Sequence, residues 1–188
     1  GDLELQRGRL PAAEQAYRRA LTANPLHAPA LASMSEILVR SDREAAARGL
    51  TEQALAADPT LPAALFRKAW FLAKDNKAEE ALGLYQAALR AEPRNTTALY
   101  NLGNLNRKTG QAGAALDAYH RAIQTGLAPL EAYINLGVTY AEMGRATEAI
   151  AIWEDGITRF PNHESLPRLR ENVEKARAGR LANSRRPQ

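Results

Sequence analysis

Apolar and small residues return along this chain at a period longer than any single helix or strand explains. The stretch "YNLGNLNRKTGQAGAALDAY", Tyr100 to Tyr119, comes back as "INLGVTYAEMGRATEAIAIW", Ile134 to Trp153, at an offset of 34. Asn101, Leu102, Gly103, Gly110 and Ala115 meet Asn135, Leu136, Gly137, Gly144 and Ala149. A fixed period of that length marks stacked supersecondary units. In 34-residue frames beginning at Ala28, Pro62, Thr96 and Leu130, positions 4, 8 and 11 form one helical stripe and positions 20, 24 and 27 a second. Each frame therefore predicts two amphipathic helices. The breaks between them, at Ser41-Asp42-Arg43, Asp75-Asn76-Lys77, Thr109-Gly110 and Met143-Gly144, are short and carry turn residues, which forces the helices antiparallel.

The packing logic follows from residue size. Position 8 holds Ser35, Ala69, Gly103 and Gly137, and position 20 holds Ala47, Ala81, Ala115 and Ala149, so two backbones can approach closely. Position 24 holds Tyr85, Tyr119 and Trp153, which fill the space beside them, and position 32 holds Pro59, Pro93 and Pro161. Residues 1–27 fit the same frame from its eighth position, with Gly1, Ala13, Tyr17, Ala20 and Pro25 in register. A single helix pair leaves a face unburied, so the pairs must stack.

This combination resembles the tetratricopeptide repeat family over nearly the whole chain. The resemblance implies an all-α, right-handed superhelical solenoid of antiparallel helix pairs closed by a C-terminal capping helix. The expected divisions are a partial repeat at 1–27, repeats at 28–61, 62–95, 96–129 and 130–163, a capping helix at 164–180 and a basic disordered tail at 181–188. In the cap, Ser165 is placed to start the helix, Pro167 lies in its first turn and Gly179 lies near its end. Four positions depart from the pattern: Thr51 for the aromatic at 24, Lys68 for an apolar residue at 7, Leu127 for proline at 32 and Gly156 for alanine at 27. The frame holding Thr51 should pack less tightly, and Pro129 should end the helix before it.

Composition narrows the function. Of the 188 residues 45% are hydrophobic and 24% charged, as expected of an ordinary globular chain. No apolar run is long enough to span a bilayer. The absence of cysteine removes disulfides, thiolate metal sites and cysteine nucleophiles, and leaves both cytoplasm and periplasm open as compartments. The Ala- and Arg-rich style hints at a bacterial source. The chain starts at Gly1, inside a repeat, so an upstream segment is expected, and the unfinished end is a candidate for self-association. Net charge is +4 and uneven: residues 164–188 carry seven Lys and Arg against three Glu, while 1–163 are balanced at 18 of each sign.

Catalytic chemistry is sparse. His27, His120 and His163 are far apart in sequence, Glu79 and Glu80 are adjacent and diverge on a helix, and neither a phosphate-binding glycine loop nor an HExxH motif occurs. The chain is read as non-enzymatic, with no cofactor. Binding is better supported. Positions 2, 5, 6, 9, 12 and 13 of each first helix are rotated away from the core stripe and form a second, outward one. It carries Ala32, Ser33, Glu36, Val39 and Arg40 in one frame and Phe66, Arg67, Trp70 and Lys74 in the next. Tyr100, Asn101, Asn104, Arg107 and Lys108 follow, then Glu131, Ile134, Asn135, Val138 and Glu142.

In tetratricopeptide proteins this stripe lines a concave groove, and the resemblance implies the same use here. The candidate partner-binding residues are Phe66, Arg67, Trp70, Lys74, Tyr100, Asn101, Asn104, Arg107, Lys108, Asn135 and Val138. Their aromatic, cationic and amide character suits an extended protein segment that is acidic or polar. Asn101 and Asn135 share position 6 and look like the asparagine ladder of O-linked N-acetylglucosamine transferases, which makes the recognition arm of such an enzyme the alternative reading. The carboxylate clamp of chaperone-binding repeats is matched by Asn104 and Asn135 but lacks its cations at Tyr100, Ser165 and Leu169. RNA is disfavoured by Glu131, Glu142 and the neutral body, so no nucleic acid partner is expected.

Overall fold

A computed structural model describes residues 1–184, and every regular element among them is a helix. The chain divides into two compact units, 1–93 and 94–188. The first contains α1 (Asp2–Gln6), α2 (Leu10–Ala23), α3 (Ala28–Arg40), α4 (Glu44–Ala57), α5 (Pro62–Lys74) and α6 (Ala78–Ala91). The second contains α7 (Thr96–Lys108), α8 (Ala112–Gln124), α9 (Leu130–Glu142), α10 (Ala146–Arg159) and α11 (Leu166–Ser184). The first helix of each full frame starts where the 34-residue period places it.

Local chemistry sets these boundaries. Position 34 of the frame precedes each first helix, and its side chain caps where it can. The ring Nδ1 of His27 accepts from Ala30 N at 3.2 Å, and Asn95 Oδ1 accepts from Ala98 N at 2.9 Å. The turn within each helix pair places frame position 15 in the left-handed region. It is occupied by Gly8 (φ 71°), Asp42 (57°), Asn76 (60°), Gly110 (76°) and Gly144 (75°), the residue types that tolerate that conformation best. Gly126, at φ 79°, follows the end of α8, and Pro129 stands at the N-cap of α9. Pro129 thus opens the following helix instead of ending the preceding one, and α8 stops four residues sooner than that expectation, at Gln124.

In the first unit, Ala13, Tyr17, Ala30, Met34 and Ile37 form one buried cluster, while Leu38, Ala47 and Phe71 form another with Trp70 and Val39 partly buried against it. Ala32, expected on the outward stripe, is instead buried with Leu31, Ala54 and Ala64, because a methyl side chain is small enough to be covered by the neighbouring helix. Beside Thr51, where looser packing was expected, a polar contact stands in the aromatic's place. Thr51 is 1% exposed, its hydroxyl lies 2.8 Å from that of Ser35, and both hydroxyls donate to the Ala47 carbonyl. A satisfied polar pair occupies the place that an aromatic over a small residue takes elsewhere.

In the second unit one core runs through Tyr119, Leu136, Trp153 and neighbouring apolar groups, and α11 contributes Leu166, Leu169 and Val173 to it. The opposite side of α11 is exposed and charged, as a terminal helix requires. Gly179 does not end this helix, which runs on to Ser184 among good helix formers. Residues 185–188 of the expected tail lie outside the described residues. Gly156, in place of alanine, faces the bulky Tyr133: a Cβ there would meet the Tyr133 Cβ at 3.0 Å.

Candidate functional site

The outward stripe exists in both units. In the first, Phe66, Arg67 and Trp70 on α5 are partly exposed and Lys74 is exposed. Each aromatic is half committed to the core beneath it. The Phe66 ring is tilted by 53° against the buried ring of Tyr85 at 5.8 Å, and Trp70 stands edge-on at 5.3 Å to buried Phe71. Cations also lie over these rings. Arg67 lies 5.5 Å from the Phe66 centroid and 6.0 Å from that of Trp70, and Lys74 is 5.4 Å from Trp70.

The two cations differ in their other partners. Lys74 forms an ion pair with Glu44, which also holds Arg48, and Arg48 reaches Asp75 at 2.7 Å. That network holds the Glu44 and Asp75 carboxyls below their usual range through hydrogen bonds from Lys74 and Arg48. Arg67 has no carboxylate at ion-pair distance among the described residues. Glu36, whose field acts on it, is already bound by Arg40 at 2.6 Å. Burial pushes the Arg67 guanidinium below its ordinary pKa, with Glu36 opposing.

In the second unit, three successive first helices, α7, α9 and α11, enclose an open cavity of about 430 Å³. Tyr100 and Arg107 line it from α7; Glu131, Ile134, Asn135 and Val138 from α9; Ser165, Arg168, Leu169 and Asn172 from α11 and the residue before it. Tyr100, Arg107, Asn135 and Val138 were expected, whereas Asn101 and Lys108 are not among the lining residues. From α11, Ser165 and Leu169 were weighed only as clamp positions, and Arg168 and Asn172 were missed. Arg168, Leu169 and Asn172 fall at positions 5, 6 and 9 if the frame is continued past residue 163, so the stripe itself carried the signal.

The amides are partly spent within the protein. Asn104 Oδ1 accepts from Tyr119 OH at 2.7 Å and from Asn135 Nδ2 at 2.8 Å, and that amide also reaches Tyr100 OH at 3.3 Å. Of the expected ladder of Asn101 and Asn135, Asn135 is therefore engaged with Asn104 in a bridge between α7 and α9. Among the described residues it leaves the Asn135 carbonyl oxygen and the Asn104 amide nitrogen without side-chain partners, and Asn101 makes no side-chain hydrogen bond. Burial pushes the Tyr119 phenol up to about 12, so it acts as a donor at any physiological pH. Arg107 gives Nη1 to Glu142 at 3.0 Å. Its Nε is buried without a partner, alone in this among the described side chains.

The histidines are placed for structure. His27 caps α3, His163 Nδ1 accepts from Ser165 N at 3.2 Å, and His120 Nε2 lies 2.6 Å from Tyr140 OH. Among the described residues no group of three or more His, Asp or Glu is arranged to hold a metal ion, and no helix is long and apolar enough to cross a membrane.

Paired helices on a 34-residue frame, with small-against-aromatic contacts in every pair but α3/α4, define a helical-repeat protein. The tetratricopeptide repeat model matches residues 1–62, 35–95, 66–129 and 100–164, and the chain belongs to that family. Among solved structures it is similar to PilW, described as a widely conserved type IV pilus biogenesis factor, with TM-score 0.74, 20% identity, and coverage of 99% of this chain and 91% of that one. It is also similar to YrrB, described as a TPR protein with an unusual peptide-binding site (0.66, 22%, 90% and 88%), and to Pseudomonas aeruginosa pilF (0.71, 17%, 92% and 83%). At these identities the likeness is one of fold. No curated protein sequence compared with it matches.

Proposed function

We propose that this protein is a non-enzymatic protein-interaction scaffold that holds an extended, acidic or polar segment of a partner on the outward faces of its first helices. The observation that carries this reading is the 430 Å³ cavity of the second unit. Ile134 and Val138 give it apolar surface, while Arg168, Asn172 and the carbonyl oxygen of Asn135 give it polar groups that a peptide backbone or carboxylate can meet. Three packed helices span about 20 Å, roughly six residues of extended chain. Membership in the repeat family and the peptide-binding site named for YrrB support the same use of the fold.

The test is selection of a random peptide library on the purified chain. Enriched sequences should be acidic or polar with an interspersed aliphatic residue, and Val138→Glu combined with Arg168→Ala should weaken them about tenfold or more, with the fold intact by circular dichroism. A library that yields no enriched sequence, or peptides indifferent to both substitutions, would sink the reading.

A further inference from the structure

Arg67 is a partly buried cation of the first unit with no carboxylate at ion-pair distance among the described residues, whereas Arg19 and Arg90, which also lack one, are exposed to water. Its neighbours are ring faces at 5.5 and 6.0 Å, and Glu36, close enough to act through space, is bound to Arg40. A guanidinium drawn out of water without a carboxylate or hydrogen-bond acceptor is a cost to the free protein, which an incoming anion relieves. The group remains reachable. Arg67 is partly exposed, and its nitrogens are not among the sealed, unpartnered atoms, of which Arg107 Nε is the sole case among the described residues. The flanking Phe66 and Trp70 rings hold the planar fork in place and leave part of their own surface for an apolar neighbour of the anion.

We propose that Arg67 is a receptor for a single carboxylate of an acidic partner segment, with Phe66 and Trp70 as its walls. The inference rests on the scaffold reading and names the partner chemistry for the first unit, apart from the cavity of the second. A carboxylate is favoured over phosphate by charge. One unpaired guanidinium is neutralised by one negative charge, whereas a phosphate dianion would leave surplus negative charge within the field of Glu36. The two oxygens of a carboxylate also match the paired N–H groups of the fork.

Trp70 lies beside Arg67 and reports on it by fluorescence, while Trp153 is buried in the other unit at 4% exposure. The full chain is titrated with a capped five-residue peptide carrying two aspartates around a leucine, with its asparagine isostere, with a peptide whose only carboxylate is its C-terminus, and with inorganic phosphate. The aspartate peptide should give a saturable change and bind roughly tenfold or more tightly than the isostere. Arg67→Gln should erase that preference, and Arg67→Lys should keep part of it. The single-carboxylate peptide tells a terminal carboxylate from a side-chain one. Absence of a saturable response, equal affinity for acid and amide, a preference surviving in Arg67→Gln, or phosphate binding as tightly as the aspartate peptide overturns the proposal. Loss of the acid preference with library peptides still bound at the second unit would leave the scaffold reading standing.

Discussion

Gly137 faces Trp153 so closely that a Cβ would sit 2.1 Å from the indole Nε1, which donates at 3.1 Å to the Ile134 carbonyl. Gly103 is in the same position against Tyr119, with a Cβ at 2.5 Å from the ring, whereas the corresponding Ala69 accommodates Tyr85. The pairing is one of complementary volumes, so Gly137→Ala should destabilise by about 1–3 kcal/mol in urea unfolding. Gly83 lies in α6 with nothing within 4 Å of a built Cβ, and Gly83→Ala should stabilise by about 0.5–1 kcal/mol. Equal effects at the two sites would refute the close-contact account. His120 gives a second residue-level prediction. Burial holds it below its ordinary value of 6.5, with Arg145 reinforcing and Asp117 opposing. Below pH 6.5 the unfolded chain takes up this proton before the folded one does, so stability falls as pH drops from 6.5 towards the folded pKa. Urea midpoints at pH 7.5 and 5.5 should differ more for the wild type than for His120→Gln.

At the scale of the helix and its turn, most of the fold was legible because each signal is local. The turns repeat one left-handed residue at frame position 15, and at Gly110 and Gly144 a Cβ would meet nothing, so the requirement there is purely conformational. Gly144→Ala should cost about 1 kcal/mol, and Gly144→Asn less, in a thermal melt that leaves the helix content unchanged. A cost equal for both would point to a packing role instead. What sequence could not supply is which distant residue neutralises which. Lys74 reaches back to Glu44 and Arg107 forward to Glu142, so two expected partner-facing cations already have internal acids. The same holds for Asn104 and Asn135, whose shared bond depends on the approach of α7 to α9. Thr51 read as a defect because its compensating partner, Ser35, lies on another helix. Arg168 and Asn172 were overlooked for a different reason: beyond the last full repeat only the two clamp positions, Ser165 and Leu169, were read.

Across the whole molecule the question is how much of a net charge of +4 is available to a partner. The excess of basic residues lies in 164–188, and within the helices many cations are tied to acids, as in Arg40 to Glu36, Arg43 to Glu14 and Arg159 to Asp155. On the outward stripe, an acidic segment would therefore meet Arg67 in the first unit and Arg168 in the second as arginines with no ion pair among the described residues. Binding of this kind has a diagnostic salt response. A ligand that releases counter-ions from many phosphates loses affinity steeply, with a slope near −0.7 per neutralised phosphate on a logarithmic plot for single strands. An acidic peptide held by one or two arginines, with apolar surface supplying the rest, should show a shallow dependence when peptide affinity is measured between low and physiological salt. Single-stranded RNA should bind weakly at physiological salt for the same reason. A steep loss of peptide affinity, or tight RNA binding that persists in Arg67→Gln and Arg168→Ala, would mean that the basic C-terminal segment, and not the outward stripe, holds the partner.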